Sequence, residues 1–285
     1  MHLLNADLHS HSTVSDGTLS PEAVAARAHG NGVSLWALTD HDEVGGQHRA
    51  RDAALALGMD YVTGVEISVT FAGQTVHIVG LGFDPDHPAL VQGLADTRGG
   101  RERRAREMAD GLARVGIPGA YEGALKYVGN PDLISRTHFA RYLVEQGICQ
   151  ETHEVFRRYL TEGKPGYVEH RWARLADAVS WIRQAGGEAV IAHPARYDFS
   201  PNEEYALFTD FKALGGVGVE VVTGSHTVAE YQRYADMAKE FGLLASRGSD
   251  FHDPAESHTD LGTLPDLPGA VTPIWDVLTD RIVKA

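Results

Sequence analysis

The chain has 285 residues, 43% hydrophobic and 22% charged, which suits a folded protein with room for one α/β barrel or a domain carrying an insertion. A formal net charge of −14 excludes nucleic-acid binding by bulk charge, although bound divalent cations would reverse the sign locally for an anionic substrate. The lone cysteine, Cys149, excludes an internal disulfide and a Cys-rich zinc site and fits a reducing compartment.

From the N-terminus, Met1 to Asp7 lacks the pattern of a signal peptide, and no stretch approaches ~18 apolar residues. A cytoplasmic protein with no membrane span and no obligate protein partner is expected. Leu3 to Leu8 reads as a strand. Ser20-Pro21-Glu22 opens a helix, with Ser20 as N-cap, and Asn31-Gly32 stops it. Val33 to Thr39 is a second strand, followed by a helix over Gln47 to Leu57. Tyr61 to Val69 and Thr75 to Phe83 are strands joined by a hairpin turn at Ala72-Gly73-Gln74.

After Pro88 no strand is legible until about residue 162. Helical patterns run over Arg101 to Val115, Ser135 to Gln146 and Thr152 to Leu160, so residues 89–162 read as an all-helical insertion. Alternation then resumes. A helix over Leu175 to Gln184, a strand over Ala189 to Ala192 and a helix from Glu204 to Leu214 lead to a strand over Val217 to Val222. A helix over Val228 to Phe241, a strand over Leu243 to Ser246 and a last helix after Pro273 complete it. The βαβα order predicts an α/β protein built on a parallel sheet or barrel.

Ligand-type residues fall in phase with these strands. His9 and His11 follow the first, one residue apart, so that extended backbone points both imidazoles one way. Asp16 lies in the next loop, His41 follows the second strand, Glu66 ends Tyr61-Val62-Thr63-Gly64-Val65, and His77 lies in its own strand. His193 precedes Pro194, and Asp250 and His252 follow the turn Arg247-Gly248-Ser249. In a parallel barrel such strand ends converge on one face. Unpaired buried carboxylates and imidazoles are costly, so nine in this phase predict a shared site. Mixed nitrogen and oxygen donors suit Mn²⁺, Fe²⁺ or Zn²⁺ better than Ca²⁺. Two or three ions are expected, with Glu66 bridging, and metal-assisted hydrolysis follows. A Ser–His–Asp triad lacks a Gly-x-Ser-x-Gly elbow to support it.

Asp-Leu-His-Ser-His-Ser, Thr-Asp-His-Asp, Gly-Val-Glu-Ile-Ser, the His-Pro after a strand and Gly-Ser-Asp-Phe-His resemble the motifs of the PHP (polymerase and histidinol phosphatase) superfamily, in family order from residue 7 to residue 252. The resemblance implies a distorted (β/α)₇ barrel over residues 1–88 and 163–285, with residues 89–162 as a substrate cap. It implies a trinuclear centre: His9, His11, Glu66 and Asp250 for one ion; Glu66, His77 and His193 for a second; Asp16, His41 and His252 for a third. A metal-bound hydroxide held by Glu66, His193 and Asp250 would be the nucleophile, and Mn²⁺ is the favoured metal. Asp7 and Asp42 match motif positions without being ligands and are expected to orient imidazoles.

Ile134 to Ala140, Gly163 to Val168 and His193 to Tyr197 resemble marks of the bacterial 3′,5′-nucleoside bisphosphate phosphatases, some of which also act as 5′→3′ exoribonucleases on short RNA. The implied reaction removes the 3′-phosphate from a 3′,5′-nucleoside bisphosphate such as adenosine 3′,5′-bisphosphate, and the partner is that nucleotide or a short RNA 5′ end. Histidinol phosphatase and a non-catalytic metal-binding module are the alternatives. Arg136, just after the N-cap candidate Ser135, is expected to hold the second phosphate, with Lys164 and Arg196 next. His138 would contact phosphate or protonate the leaving oxygen. The run Arg98, Arg101, Arg103, Arg104 and Arg106 interleaves with Glu102 and Glu107 and reads as a solvated helix face. Tyr121, Tyr127 and Tyr142 read as core aromatics rather than base-stacking groups.

Overall fold

A computed structural model describes residues 4–169 and 172–285. Two short strands, β1 (Ala6–Asp7) and β2 (Leu35–Trp36), pair in parallel, and β2 pairs with β3 (Asp60–Tyr61). The expected start of β1 at Leu3 lies outside the described residues. Between these strands run α1 (Pro21–Gly30), whose Ser20 hydroxyl accepts the Ala23 N–H, and α2 (Gln47–Ala56). β4 (Gly64–Phe71) continues β3 and turns at Ala72 and Gly73, both at positive φ, into antiparallel β5 (Gln74–Leu81). β6 (Ala173–Arg174) caps the far end of β4.

α8 (Leu175–Gln184) leads to β7 (Glu188–Ile191), which pairs antiparallel with β5. β8 (Gly218–Thr223) and β9 (Leu244–Gly248) add in parallel, with α9 (Pro201–Ala213) and α10 (Val228–Phe241) between them. Capping boxes at Ser200 with Glu203 and at Thr227 with Glu230 start these two helices.

Backbone hydrogen bonds then join the two sheets at both margins. Leu8 N–H donates to Arg247 O (3.0 Å) and Asp250 N–H to His9 O (2.9 Å), tying β1 to β9. Val62 N–H donates to Trp36 O (3.0 Å) and Asp42 N–H to Glu66 O (2.9 Å), tying the β3–β4 run to β2. A ring results, in the order β1, β2, β3–β4, β5, β7, β8, β9 and back to β1. The antiparallel β5 distorts an otherwise parallel barrel.

Four helices follow β5: α3 (Pro88–Arg98), α4 (Arg101–Arg114), α5 (Ala120–Leu125) and α6 (Arg136–Glu145). α7 (Thr152–Val155) runs into a π-helical turn at Phe156–Leu160. α3, a helix not read from the sequence, falls within the residues assigned to the insertion yet packs on the barrel: Leu90 and Leu94 join Ile182 and Val179 in the barrel core, and Gly93 lies against the Trp181 ring. A separate core of Ala105, Met108, Leu112, Phe139, Leu143, Val155 and Leu160 forms from α4 onward. Tyr121 and Tyr142 pack against that core, half-buried. The last helix expected after Pro273 is only a 3₁₀ turn, Ile274–Val277. Ile274 and Leu278 are buried against β7 residues, and the chain then extends so that Val283 bridges Tyr61.

Candidate metal centre

His9 and His11 leave β1 on extended backbone and are fully buried, held from one side by the residues after β9. Asp42, His193 and Asp250 adopt positive φ (49°, 25° and 56°), a region side chains other than glycine rarely occupy. At each a hydrogen bond holds the turn. His193 N–H donates to Glu220 Oε2 at 2.7 Å, and Asp250 N–H to the His9 carbonyl.

Glu66 stands at the middle. Its Oε2 lies 3.3 Å from His9 Nε2, 3.3 Å from His11 Nε2 and 2.9 Å from His41 Nδ1. Its Oε1 lies 2.8 Å from His77 Nδ1 and 2.9 Å from His193 Nε2, which are 3.4 Å apart. Asp250 Oδ1 approaches His11 Nε2 (3.2 Å) and His9 Nε2 (3.5 Å). Asp16 Oδ1 approaches His252 Nε2 (3.4 Å) and His41 Nε2 (3.7 Å). All nine residues read as ligands from the sequence therefore meet in one cluster. Within it, His11 also approaches the Asp16, His41 and His252 group, and His41 approaches Glu66 and His77, so the three expected sets overlap.

The donor set fits cations. His9 Nε2, His11 Nε2, Asp16 Oδ1, Glu66 Oε2 and Asp250 Oδ1 are buried and have no hydrogen-bond partner, a costly state that a shared cation would relieve. Burial opposes charge on Glu66, yet His77, His41 and His9 hold its carboxyl well below the usual range, and imidazoles do the same for Asp16 and Asp250. Conversely, burial opposes charge on His11, but Asp250 and Glu66 raise it to about 10. Protons thus stand where cations can. The cluster can bind several metal ions.

Sequence reasoning missed Glu220. It is buried on β8, accepts the His9 Nδ1 proton at 2.7 Å and also holds the His193 amide. The His9 contact leaves Nε2 as the free lone pair facing Glu66. The signal was a lone carboxylate inside the apolar run Val217 to Val222. Asp40 was also passed over; it accepts Ser12 N–H, Ser12 Oγ–H and Ser15 Oγ–H and so shapes the loop that presents Asp16. Asp7 and Asp42 do not orient imidazoles as expected. Asp7 accepts the amides of Ser249 and Gly262 and thereby fixes the backbone before Asp250. Asp42 accepts from Ser68 and pairs with Arg101.

Two clefts open on the cluster. One, of about 140 Å³, is lined by Asp16, His41, His77 and His252 together with Arg101, Arg104, Arg136 and Trp172. The other, of about 390 Å³, shares Thr137, Phe156, Arg196 and His252 with it and runs on past His153, Ser225 and His258. Arg136 thus faces the site, donating to Leu160 O at 3.5 Å. Arg196 also does, with one arm on Asp250 Oδ2 at 2.7 Å. Ser135 Oγ lies 3.4 Å from Asp16 Oδ2. Lys164 does not reach either cleft and stays exposed on its turn.

His138 closes a capping box on α6, its Nδ1 accepting the Ser135 N–H at 2.9 Å, so a neutral ring carries its proton on the buried Nε2. Burial lowers its pKa to about 4, so it enters neutral solution without the charge of an acid. The arginine run is solvated only in part. Arg103 and Arg106 pair with Glu107 and Glu102 in solvent, while Arg101 and Arg104 are buried and face the cleft.

No helix among the described residues is long and apolar enough to cross a membrane. The chain is 50% identical over 282 residues to the 3′,5′-nucleoside bisphosphate phosphatase of Chromobacterium violaceum, covering 99% of each chain. It is 44% identical to a 5′-3′ exoribonuclease of Haemophilus influenzae, covering 95% of this chain and 97% of that one. A solved structure of an amidohydrolase from Chromobacterium violaceum, with bound sulfate and no metal, superposes with a TM-score of 0.96 at 51% identity, covering 98% of both chains. A family model for the PHP domain matches residues 7–160. With the barrel and the histidine–carboxylate cluster in place, these matches establish that the chain belongs to the PHP domain family.

Proposed function

We propose that the protein is a metal-dependent phosphohydrolase that removes the 3′-phosphate from 3′,5′-nucleoside bisphosphates, releasing a nucleoside 5′-monophosphate and phosphate. The observation that carries this reading is a convergence: the cluster of unpartnered ligand atoms around Glu66 opens, through Asp16, His41, His77 and His252, onto the cleft that Arg136 lines. The names of the two relatives agree with it. His9, His11, Glu66 and Asp250 would hold one cation, Glu66, His77 and His193 a second, and Asp16, His41 and His252 a third. Nitrogen and oxygen donors in this mixture favour Mn²⁺. When bound, such ions supply Lewis-acid polarisation of the phosphoryl group and activation of water.

The protein's own groups do the positioning. Glu220 sets the His9 tautomer and the His193 turn, and Arg196 pins Asp250. Arg136 and the Ser135 hydroxyl address substrate oxygens, and the neutral His138 supplies order to α6. The helices from α4 to the π-helical turn act as the cap that shapes the cleft. A cytoplasmic setting accords with the unpaired thiol of Cys149. Lys164, exposed on its turn, has no role in this reading.

A second reading, removal of 5′-end nucleotides from short RNA in the same site, is favoured by the second cleft, which gives a chain beyond the reacting phosphate somewhere to lie. The test is product identity. Adenosine 3′,5′-bisphosphate with the Mn²⁺-loaded protein should give the 5′-monophosphate and phosphate by chromatography. Release of the 3′-monophosphate instead, or no turnover of any 3′-phosphoester, would reject the proposal.

A further inference from the structure

Asp16 and His252 are presented by loops, whereas Glu66 and His77 sit in strands β4 and β5. The two loops are joined to each other. Thr18 N–H donates to the His252 carbonyl at 3.0 Å, and the Thr18 hydroxyl donates to Asp253 Oδ2. Asp253 Oδ1 in turn accepts the Glu256 N–H at 3.0 Å, and Ser257 Oγ accepts the His252 N–H at 2.9 Å. One connected turn therefore carries both ligands.

Arg141 grips that turn from the insertion. It stands on α6, whose Phe139, Ala140 and Leu143 lie in the insertion's own core, and it is itself buried. Its Nη1 donates to the Asp16 carbonyl at 2.7 Å. Nη2 and Nε donate to the Glu256 carboxylate, at 3.0 and 3.2 Å. Among the described residues, no backbone amide donates to the Asp16 carbonyl. A planar guanidinium fixes both partners at once, and Glu256 balances the charge that burial would otherwise make costly. Arg141 lines neither cleft, so its donors serve the protein and not a substrate. A second contact runs the same way: a Cβ on Gly129 would stand 2.3 Å from the Thr13 carbonyl oxygen, so the insertion also presses on the start of the Asp16 loop. The group formed by His9, His11, Glu66 and Asp250 is held differently, from the barrel, through Glu220 on β8 and the bond from Asp250 N–H to the His9 carbonyl.

We infer that Arg141 is a positioning residue for the cation held by Asp16, His41 and His252. It ties two of those three ligands to the insertion, so their group keeps its shape only while α6 is seated on the barrel. The other two groups take their shape from the barrel. The inference rests on the proposed metal centre, and it makes one ion of that centre answer to the cap.

The test is Arg141→Met, which keeps the stem within α6 and removes both contacts. Mn²⁺ bound per chain is measured against free Mn²⁺ by equilibrium dialysis and elemental analysis. One ion should bind at least about tenfold more weakly than in wild type, and the remaining ions with wild-type affinity. Arg158→Met, which breaks an exposed ion pair with Glu154 in the same insertion, should change none of them. Uniform weakening of every ion, or no weakening at all, would overturn the inference. Glu256→Gln leaves α6 intact and should weaken the same single ion, so it carries the test if Arg141→Met does not fold. Amide hydrogen exchange in the metal-free protein supplies a readout without cations. The Thr18 amide, bonded to His252, should exchange at least about tenfold faster in Arg141→Met, while the His11 amide, bonded to the Phe251 carbonyl, should keep its wild-type rate. Equal acceleration of both amides would make Arg141 ordinary scaffold and overturn its assigned role. A wild type that binds no Mn²⁺ would reject the proposed metal centre itself, and the exchange rates would still decide whether Arg141 holds the Asp16 loop.

Discussion

At the scale of single residues, the nine ligand candidates were legible because strand period and strand order place them, without any knowledge of distances. His9 and His11 share a face by period alone, while Glu66, Asp250 and the others each fall at or near the end of an apolar run read as a strand. Glu220 was not legible, since one carboxylate in an apolar strand looks the same whether it binds an imidazole or a distant amide. Only the fold shows it between His9 Nδ1 and His193 N–H. Removing it in Glu220→Ala leaves two buried donors unpaired and frees the His9 tautomer. Metal affinity should fall about 10- to 100-fold, read as metal retained after dialysis against a weak chelator. Retention equal to wild type would remove Glu220 from the support of the centre. Lys164 shows the opposite error: a cation beside a glycine turn looked presentable, yet the turn leaves it in solvent.

At the scale of elements, helix and strand limits followed from caps and period. α1 begins at Pro21 behind Ser20, and α10 runs Val228–Phe241, as read. What the pattern could not say is which flank of α4 turns inward. Glutamates beside its arginines suggested solvent, but Trp172, far along the chain, offers Arg101 and Arg104 a buried face. α3 was not read as a helix at all, and its packing was not legible, because its partner Trp181 belongs to a helix more than eighty residues on. The closure of β9 on β1 makes a sharper claim. A Cβ on Gly248 would come within 2.3 Å of His9 Cβ and 2.6 Å of its backbone nitrogen. Gly248→Ala should cost about 1–3 kcal/mol in urea unfolding of the metal-free protein, and metal retention should fall with it because His9 is displaced. Wild-type stability would show that β1 and β9 are not held at this contact.

For the whole molecule, an α/β barrel with helices inserted after β5 brings residues from seven strands to one mouth and covers it with a second core. The alternation of elements predicted a parallel sheet or barrel, and the resemblance to the PHP superfamily implied the barrel. Its closure, through bonds such as Leu8 N–H to Arg247 O, lay beyond local pattern because it joins residues more than two hundred positions apart. The central claim is that the cluster around Glu66 becomes a phosphohydrolase centre when it holds metal. The most direct measurement strips the protein with chelator and restores Mn²⁺ stepwise while following phosphate release from adenosine 3′,5′-bisphosphate. Release should be absent without metal and should rise to a plateau at two to three equivalents per chain, about as many as the donor set can hold. Release that survives chelation, or that never appears as the sites fill, would contradict the account.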